Sequence, residues 1–476
     1  VTVWQRLLAR QPVDSERRAR GPALRRALGA PALIAIGLGT MLGGIFATIG
    51  SATQAAGPGV IGSFALSGLA CLFVALCYAE LASMVPIAGS AYTYAYATLG
   101  EFVAWVIGWD LLLEYGFSVA PLASSWSSYF QGLLSSVNIV LPGWASTARV
   151  VWAGGGLDLA HSQVDVLAIA ITLLITALLA IGIRESASTN TAMVIVQIVA
   201  MVAFVAALIG AIHPGNLHPS FPTGLHGVVI GAALAFFAYI GFDTVTVASE
   251  EAKRPERDVP RAVVGSLLIG AALYMAIAYV TVGVVPWEHI DKDSGMLDAV
   301  KHAGNNPILS FVVTVGAIAG LTATMLTSFL GQVRIFYVMA RDRMLPPWVA
   351  NINEKTRTPV GTTIVVGILV ALLAGVVPID IGIKLVNIGT FSAFTIVCAG
   401  VLVLRFTQPQ AKRPFRAPGG PVVAIAGLLL CLYLMIDGLS GGTWIRFIVW
   451  FAAGLVVYII YGFRHSLLRP ANTEKA

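Results

Sequence analysis

Two apolar segments about two hundred residues apart are interrupted by residues that a membrane-spanning helix tolerates poorly. The first, IGLGTMLGGIFATIG from Ile36 to Gly50, holds Gly37, Gly39, Gly43 and Gly44; the second, FFAYIGFDTVTVAS from Phe236 to Ser249, holds the acid Asp243. Unwinding around Gly43 and Gly44 would free N–H groups at the start of a second half-helix, and such groups attract anions through hydrogen bonds and the helix dipole. Unwinding from Ala238 to Gly241 would free carbonyl groups, which attract an ammonium. Together the breaks match the two ends of a zwitterion, through about two to four charge-assisted hydrogen bonds of roughly 1.5–3 kcal/mol each. Interrupted helices in corresponding places of two halves are the sequence signature of a secondary transporter's central site. The glycines also admit a plainer reading, because Gly39 to Gly43 spells a G-x-x-x-G packing face.

Three acids stand out beside the breaks. A carboxylate at mid-membrane costs about 2.5–3.5 kcal/mol on insertion scales, so Asp243 is a functional candidate: it could attract a basic substrate side chain, shuttle a proton or cap a half-helix. Asp110 and Glu114 fall at i and i+4 on the third apolar span. Like charges so spaced repel in a low dielectric, which makes one of them a candidate proton carrier; a structural hydrogen bond is the competing reading. Glu80 and Glu101 read as capping or gating groups, and the cluster from Glu250 to Arg261 as a solvated helix end.

Composition places these segments in a bilayer. Apolar residues make up 57% of the chain and charged residues 11%, against about 25% in soluble proteins, and the mean hydropathy is +0.85. Each span needs roughly 20 apolar residues; windows centred near residues 43, 71, 108, 173, 200, 238, 272, 322, 368, 394, 430 and 453 qualify, so twelve spans are expected. Residues 1–30 are arginine-rich without an apolar core, so no cleavable signal peptide is expected. With the N-terminus in the cytoplasm, 24 of the 29 Lys and Arg fall on the inner side, which places both termini inside a cell membrane. The same distribution accounts for the net charge of +6 without a nucleic-acid partner.

The chain divides into a cytoplasmic segment (1–30), a transporter domain (31–463) and a tail (464–476). Within the domain, five spans (31–212) and five more (225–404) precede a final pair (421–463). Because five is odd, the second group enters from the opposite side, as an inverted repeat requires, and the two broken helices are the first of each group. Cys71, Cys77, Cys398 and Cys431 read as small buried hydrophobes. No phosphate-binding loop, zinc-protease motif or nucleophile–base set is present, so no cofactor, metal or ATP is expected and the chain does not read as an enzyme. Any active transport would draw on an ion gradient.

Five stretches carry a family resemblance: FFAYIGFDTVTVASEEAKRPERDVPRA (Phe236 to Ala262), GQVRIFYVMARDRMLP (Gly331 to Pro346), LVNIGTFSAFTIVCAGVLVLR (Leu385 to Arg405), EYGFSVAPLASSWSSYF (Glu114 to Phe130) and RESASTNTAMVIVQI (Arg184 to Ile198). They are similar to bacterial members of the cationic amino acid transporter family, in the amino acid-polyamine-organocation superfamily. The resemblance implies an all-α, leucine-transporter-like 5+5 inverted repeat plus two helices, with alternating access and an L-amino acid held between spans 1 and 6. It further implies that Met41, Gly43 and Gly44, with Ile45, hold the carboxylate. Main-chain groups of Phe237, Ala238 and Ile240 would take the amine, and Asp243 would face the side-chain pocket. Ser328 matches a position where cation-selective relatives are small, so arginine, lysine or ornithine, or a broad range, is the first expectation. Neutral amino acids, polyamines, or a non-transporting sensor are the alternatives, and a small accessory subunit stays open. Two departures matter. Gln197 stands where many proton-coupled relatives carry a Lys, and a neutral amide cannot exchange a proton near neutral pH; Glu114 becomes the coupling candidate, or the protein is a uniporter. Gly43 and Gly44 are adjacent where the family has one residue between them, which shortens the break by about 1.5 Å in helix or about 3.3 Å if extended.

Overall fold

A computed structural model describes residues 28–84, 90–153, 156–182, 187–247, 249–353 and 358–467. Arg184, Glu185 and most of the two terminal segments therefore lie outside the described residues. The first broken span is α1 (Ala30–Met41) followed by α2 (Gly44–Ala56). A short 3-10 turn leads into α3 (Val60–Met84), and α4 (Ser90–Thr98) follows. α5 (Glu101–Leu111) runs through a π-turn at Leu112–Phe117 into α6 (Val119–Ser136). After a hairpin come α7 (Val166–Ile181) and α8 (Ala187–Leu208). The second broken span is α9 (Gly224–Tyr239) and α10 (Thr244–Val247). The rest comprises α11 (Pro255–Val284), α12 (Gly295–His302), α13 (Pro307–Arg341), α14 (Val360–Val376), α15 (Ile379–Thr407), α16 (Pro421–Asp437), α17 (Gly441–Val457) and the short α18 (Phe463–His465).

Among the described residues, eight helical stretches are long and apolar enough to cross a membrane, and four shorter apolar helices accompany them: α1, α7, α14 and α16. The protein is thus a polytopic, almost entirely helical membrane protein. The exception to the all-α expectation is an antiparallel hairpin, β1 (Arg149–Ala153) and β2 (Gly156–Gln163), in which Val151 pairs with Asp158 and Trp152 with Leu157. Residues 149–163 follow a span and contain Val150, Val151 and Trp152, which suit a pleated strand.

The side chains sort as a bilayer demands. Leu173, Leu174, Leu369, Leu372, Ile448 and Val449 face outward from α7, α14 and α17, where lipid tails are as apolar as they are. Small polar groups point inward and join helices. Ser63 and Ser67 of α3 donate to the carbonyls of Val228 and Ala232 on α9 at 2.8 and 2.6 Å, and Asn387 of α15 donates to Ala233 at 2.6 Å. Rings of Phe236, Phe391, Phe394, Tyr78 and Phe242 pack around these contacts.

At the face where α3 and α15 end, Glu80 is 1% exposed and clamps three elements. Its carboxylate accepts from Arg405 Nε at 3.1 Å, from Arg405 Nη2, and from the Ala417 N–H at 2.9 Å. Arg413 Nε stands 3.3 Å from Oε1, within ion-pair range but not aligned for a hydrogen bond. The remaining nitrogens of Arg413 donate to the carbonyls of Leu404, Gln408, Pro409 and Ala411. The link between α15 and α16 is thereby tied to the end of α3. On the opposite face, the connection after α11 covers α2: Gln54 donates to Ile290 at 2.8 Å, and a β-carbon on Gly50 would sit against the main chain of Asp291 and Lys292.

Two measurements test these contacts. Glu80→Gln removes one member of a buried ion cluster, a loss that costs about 3–5 kcal/mol, so the thermal unfolding midpoint in detergent is expected to fall by several degrees; an unchanged midpoint would show the clamp to be inert. Asp293, in the connection after α11, has its carboxyl pushed from 3.8 to about 6 by burial, with Asp291 and Asp380 adding to the effect. A raised folded pKa gives stability that is complete below pH 3.8 and is lost as pH rises through about 6. Asp293→Asn should therefore raise the midpoint at pH 7.5 and flatten its change between pH 4 and 6.

Candidate functional site

The two interrupted spans meet backbone to backbone, and a narrow cavity of about 20 Å³ lies at their meeting point. The second break is fully opened. α9 ends at Tyr239, Ile240 is extended (φ −60°, ψ 135°), and Gly241 adopts φ +114°, a conformation closed to most side chains. The open stretch is residues 240–243, two residues later than the expected Ala238 start; Ala238 is still helical because Ala-rich sequence continues α9 through it. The first break is slighter than expected. Leu42 and Gly43 keep right-handed helical dihedrals (−62°, −25° and −62°, −29°), and only the ladder changes, with the Phe46 N–H reaching back three residues to Gly43 at 3.2 Å. With Gly43 and Gly44 adjacent, there is too little chain to extend. The break thus corrects the expectation of an unwound stretch.

Close approach explains the glycines. A β-carbon on Gly44 would lie 2.6 Å from Cα of Ala238, and one on Gly241 would lie 3.0 Å from the main chain of Thr40. Gly43 faces α13 instead, at Thr324 and the Gly320 carbonyl. Side chains then lace the breaks. Thr40 donates to the Gly241 carbonyl at 2.8 Å and lies 2.9 Å from the Thr244 hydroxyl. The hydroxyl of Tyr274, from α11, is 2.8 Å from both the Met41 and the Ala238 carbonyls.

The cavity gathers six of the expected residues: Met41, Gly44, Phe237, Ile240, Ser328 and Glu114. Gly43, Ile45, Ala238, Asp243 and Gln197 are not on its wall. Asp243 is fully buried and its Oδ2 accepts a 2.5 Å hydrogen bond from Tyr115, which lines the cavity. Gln197 is buried against Gly320 of α13, with neither amide atom hydrogen-bonded among the described residues. Asp110 closes α5 and Glu114 lies in the π-turn that follows it; both are buried. Neither oxygen of Glu114 has a hydrogen-bond partner among the described residues.

Gly241, at the end of the expected second break, and Thr40, Tyr115, Ser118, Leu122, Thr244 and Thr324 complete the wall; the last six were missed by sequence reasoning. Some were findable. Glu114, Ser118 and Leu122 repeat every four residues, as do Thr324 and Ser328, and Thr40 and Thr244 flank the breaks. Tyr115, within the π-turn beside Glu114, belongs to no spacing or motif that marked it in the sequence.

The amino acid permease family model matches residues 28–461. The branched-chain amino acid permease BcaP of Bacillus subtilis (strain 168) is 42% identical over 448 residues, which cover 94% of this chain and 95% of BcaP. The methylthioribose transporter of the same strain is 39% identical, covering 97% of this chain and 99% of the relative. The vacuolar cationic amino acid transporter 4 of Arabidopsis thaliana is 38% identical over 85% of this chain and 68% of its own length. With two interrupted helices enclosing a cavity and a family match over nearly the whole helical domain, the chain belongs to the amino acid permease family of the amino acid-polyamine-organocation superfamily.

Proposed function

We propose that the protein is a secondary transporter for L-amino acids with uncharged, aliphatic side chains, working by alternating access in the cell membrane with both termini in the cytoplasm. It would cross the bilayer twelve times, as a 5+5 inverted repeat and two further helices. The observation that carries the reading is the cavity itself, set where α2 begins and α9 ends. The start of α2 at Gly44 favours a carboxylate through its N–H groups and dipole. The open stretch at Ile240 and Gly241 favours an ammonium. Between them, Met41, Leu122, Phe237 and Ile240 offer apolar surface to a side chain. The branched-chain permease among the relatives, similar over almost its full length, supports an aliphatic side chain over the basic one first expected. Ser328 then supplies room for branching, not for a guanidinium.

Glu114 is the coupling group in this reading: it is an acid on the cavity wall without a hydrogen-bond partner among the described residues, whereas Gln197 carries no ionisable proton. No cofactor or ATP enters the cycle.

Counterflow in proteoliposomes tests the substrate. Leucine, isoleucine and valine should compete with labelled leucine, and lysine, arginine and ornithine should not; competition by the basic set alone would replace this reading with a cationic one. Glu114→Gln tests coupling. It should keep leucine–leucine exchange while losing gradient-driven accumulation by about tenfold or more. Accumulation at the wild-type level would remove Glu114 from the coupling step.

A further inference from the structure

We propose that Tyr115 is a specificity-determining residue: its ring and hydroxyl close the Asp243 carboxylate off from the cavity, so that a basic side chain is admitted only when Tyr115 moves aside. This rests on the amino acid reading of the cavity given above. Four observations support that role. Its hydroxyl already donates to Asp243 Oδ2 at 2.5 Å, and Asp243 is fully buried while Tyr115 itself lines the cavity. The π-turn at Leu112–Phe117 holds Tyr115 and its neighbour Glu114, both on the cavity wall, and such turns are frequent at functional sites. The ring has a shaped seat on α13, where a β-carbon on Gly331 would come within 2.7 Å of it. The backbone beneath is held by the Ser118 hydroxyl, which donates to the Tyr115 carbonyl at 3.0 Å.

The consequence is discrimination by an occupied partner. A lysine or arginine side chain entering the cavity must give up its water, and the carboxylate best placed behind the wall is already engaged. To pair with it, the substrate must displace the ring and break its hydrogen bond. An aliphatic side chain instead meets the face of the ring and leaves the Tyr115–Asp243 contact intact.

The test measures thermal unfolding of the purified full-length protein against titrated leucine, lysine and arginine. Wild type is expected to respond to leucine and not to arginine. Tyr115→Ala should raise arginine affinity by about tenfold or more, and adding Asp243→Asn should abolish that gain. Gly331→Ala pushes on the ring from a position outside the cavity wall, so it should move selectivity the same way and supplies the readout if Tyr115→Ala fails to fold. The proposal is overturned if wild type already binds arginine as tightly as leucine, if neither variant gains arginine binding, or if the gain survives Asp243→Asn, which would point to Glu114 as the counter-ion. Should no amino acid stabilise wild type, the aliphatic substrate reading fails, while an Asp243-dependent arginine gain in the variants still establishes the role of Tyr115.

Discussion

The molecule depends on one steric condition: two interrupted helices must touch through their main chains. Gly44 against Ala238 and Gly241 against Thr40 leave no space for a single added carbon, and every feature of the cavity follows from that proximity. It brings the start of α2 and the end of α9 to one point, where their opposed terminal dipoles can address the two charges of one small molecule. It also puts the Thr40 and Thr244 hydroxyls within 2.9 Å of each other, so the polarity exposed by broken ladders is partly answered by side chains before any ligand arrives. Membrane interiors allow irregular backbone only where it is buried in protein or lines a cavity, and this site satisfies both conditions.

The order of elements was largely legible from sequence, because a bilayer imposes a strong and simple rule on hydrophobic length. The windows near residues 173, 200, 322 and 394 fall inside α7, α8, α13 and α15, and both breaks lie within a few residues of where glycine and aspartate placed them. What sequence could not give was local winding. The π-turn after Leu111 has no compositional signature, yet it holds both Glu114 and Tyr115 of the cavity wall. The depth of the first break was equally hidden: two adjacent glycines suggest an unwound stretch, but the chain is too short to open one and stays helical through Leu42 and Gly43.

The buried acids divide by what answers them. Glu80 meets two guanidinium groups and a backbone N–H, and serves as a fastening. Glu101 is similarly engaged, accepting from Tyr458 at 3.1 Å and from Ser466, which anchors the end of the helical domain near α5. Asp243 is answered by a phenol, and Glu114 has no hydrogen-bond partner among the described residues. Sequence position marked Glu80 and Glu101 as capping or gating groups and Asp243 and Glu114 as functional candidates, without showing what each would meet. Only their partners separate the architectural pair from the pair beside the cavity.

Tyr274 carries a mechanical implication. One phenolic proton is shared between the carbonyls of Met41 and Ala238, at equal distances of 2.8 Å, so α1, α9 and α11 are pinned at a common pivot. Opening either helix gap by even an ångström would cost a buried carbonyl its hydrogen bond to Tyr274. The pinned helices, to which α13 is also tied where Thr324 donates to the Gly39 carbonyl at 3.3 Å, are therefore expected to travel as one stiff block, so that access to the cavity changes through movement of the elements around it.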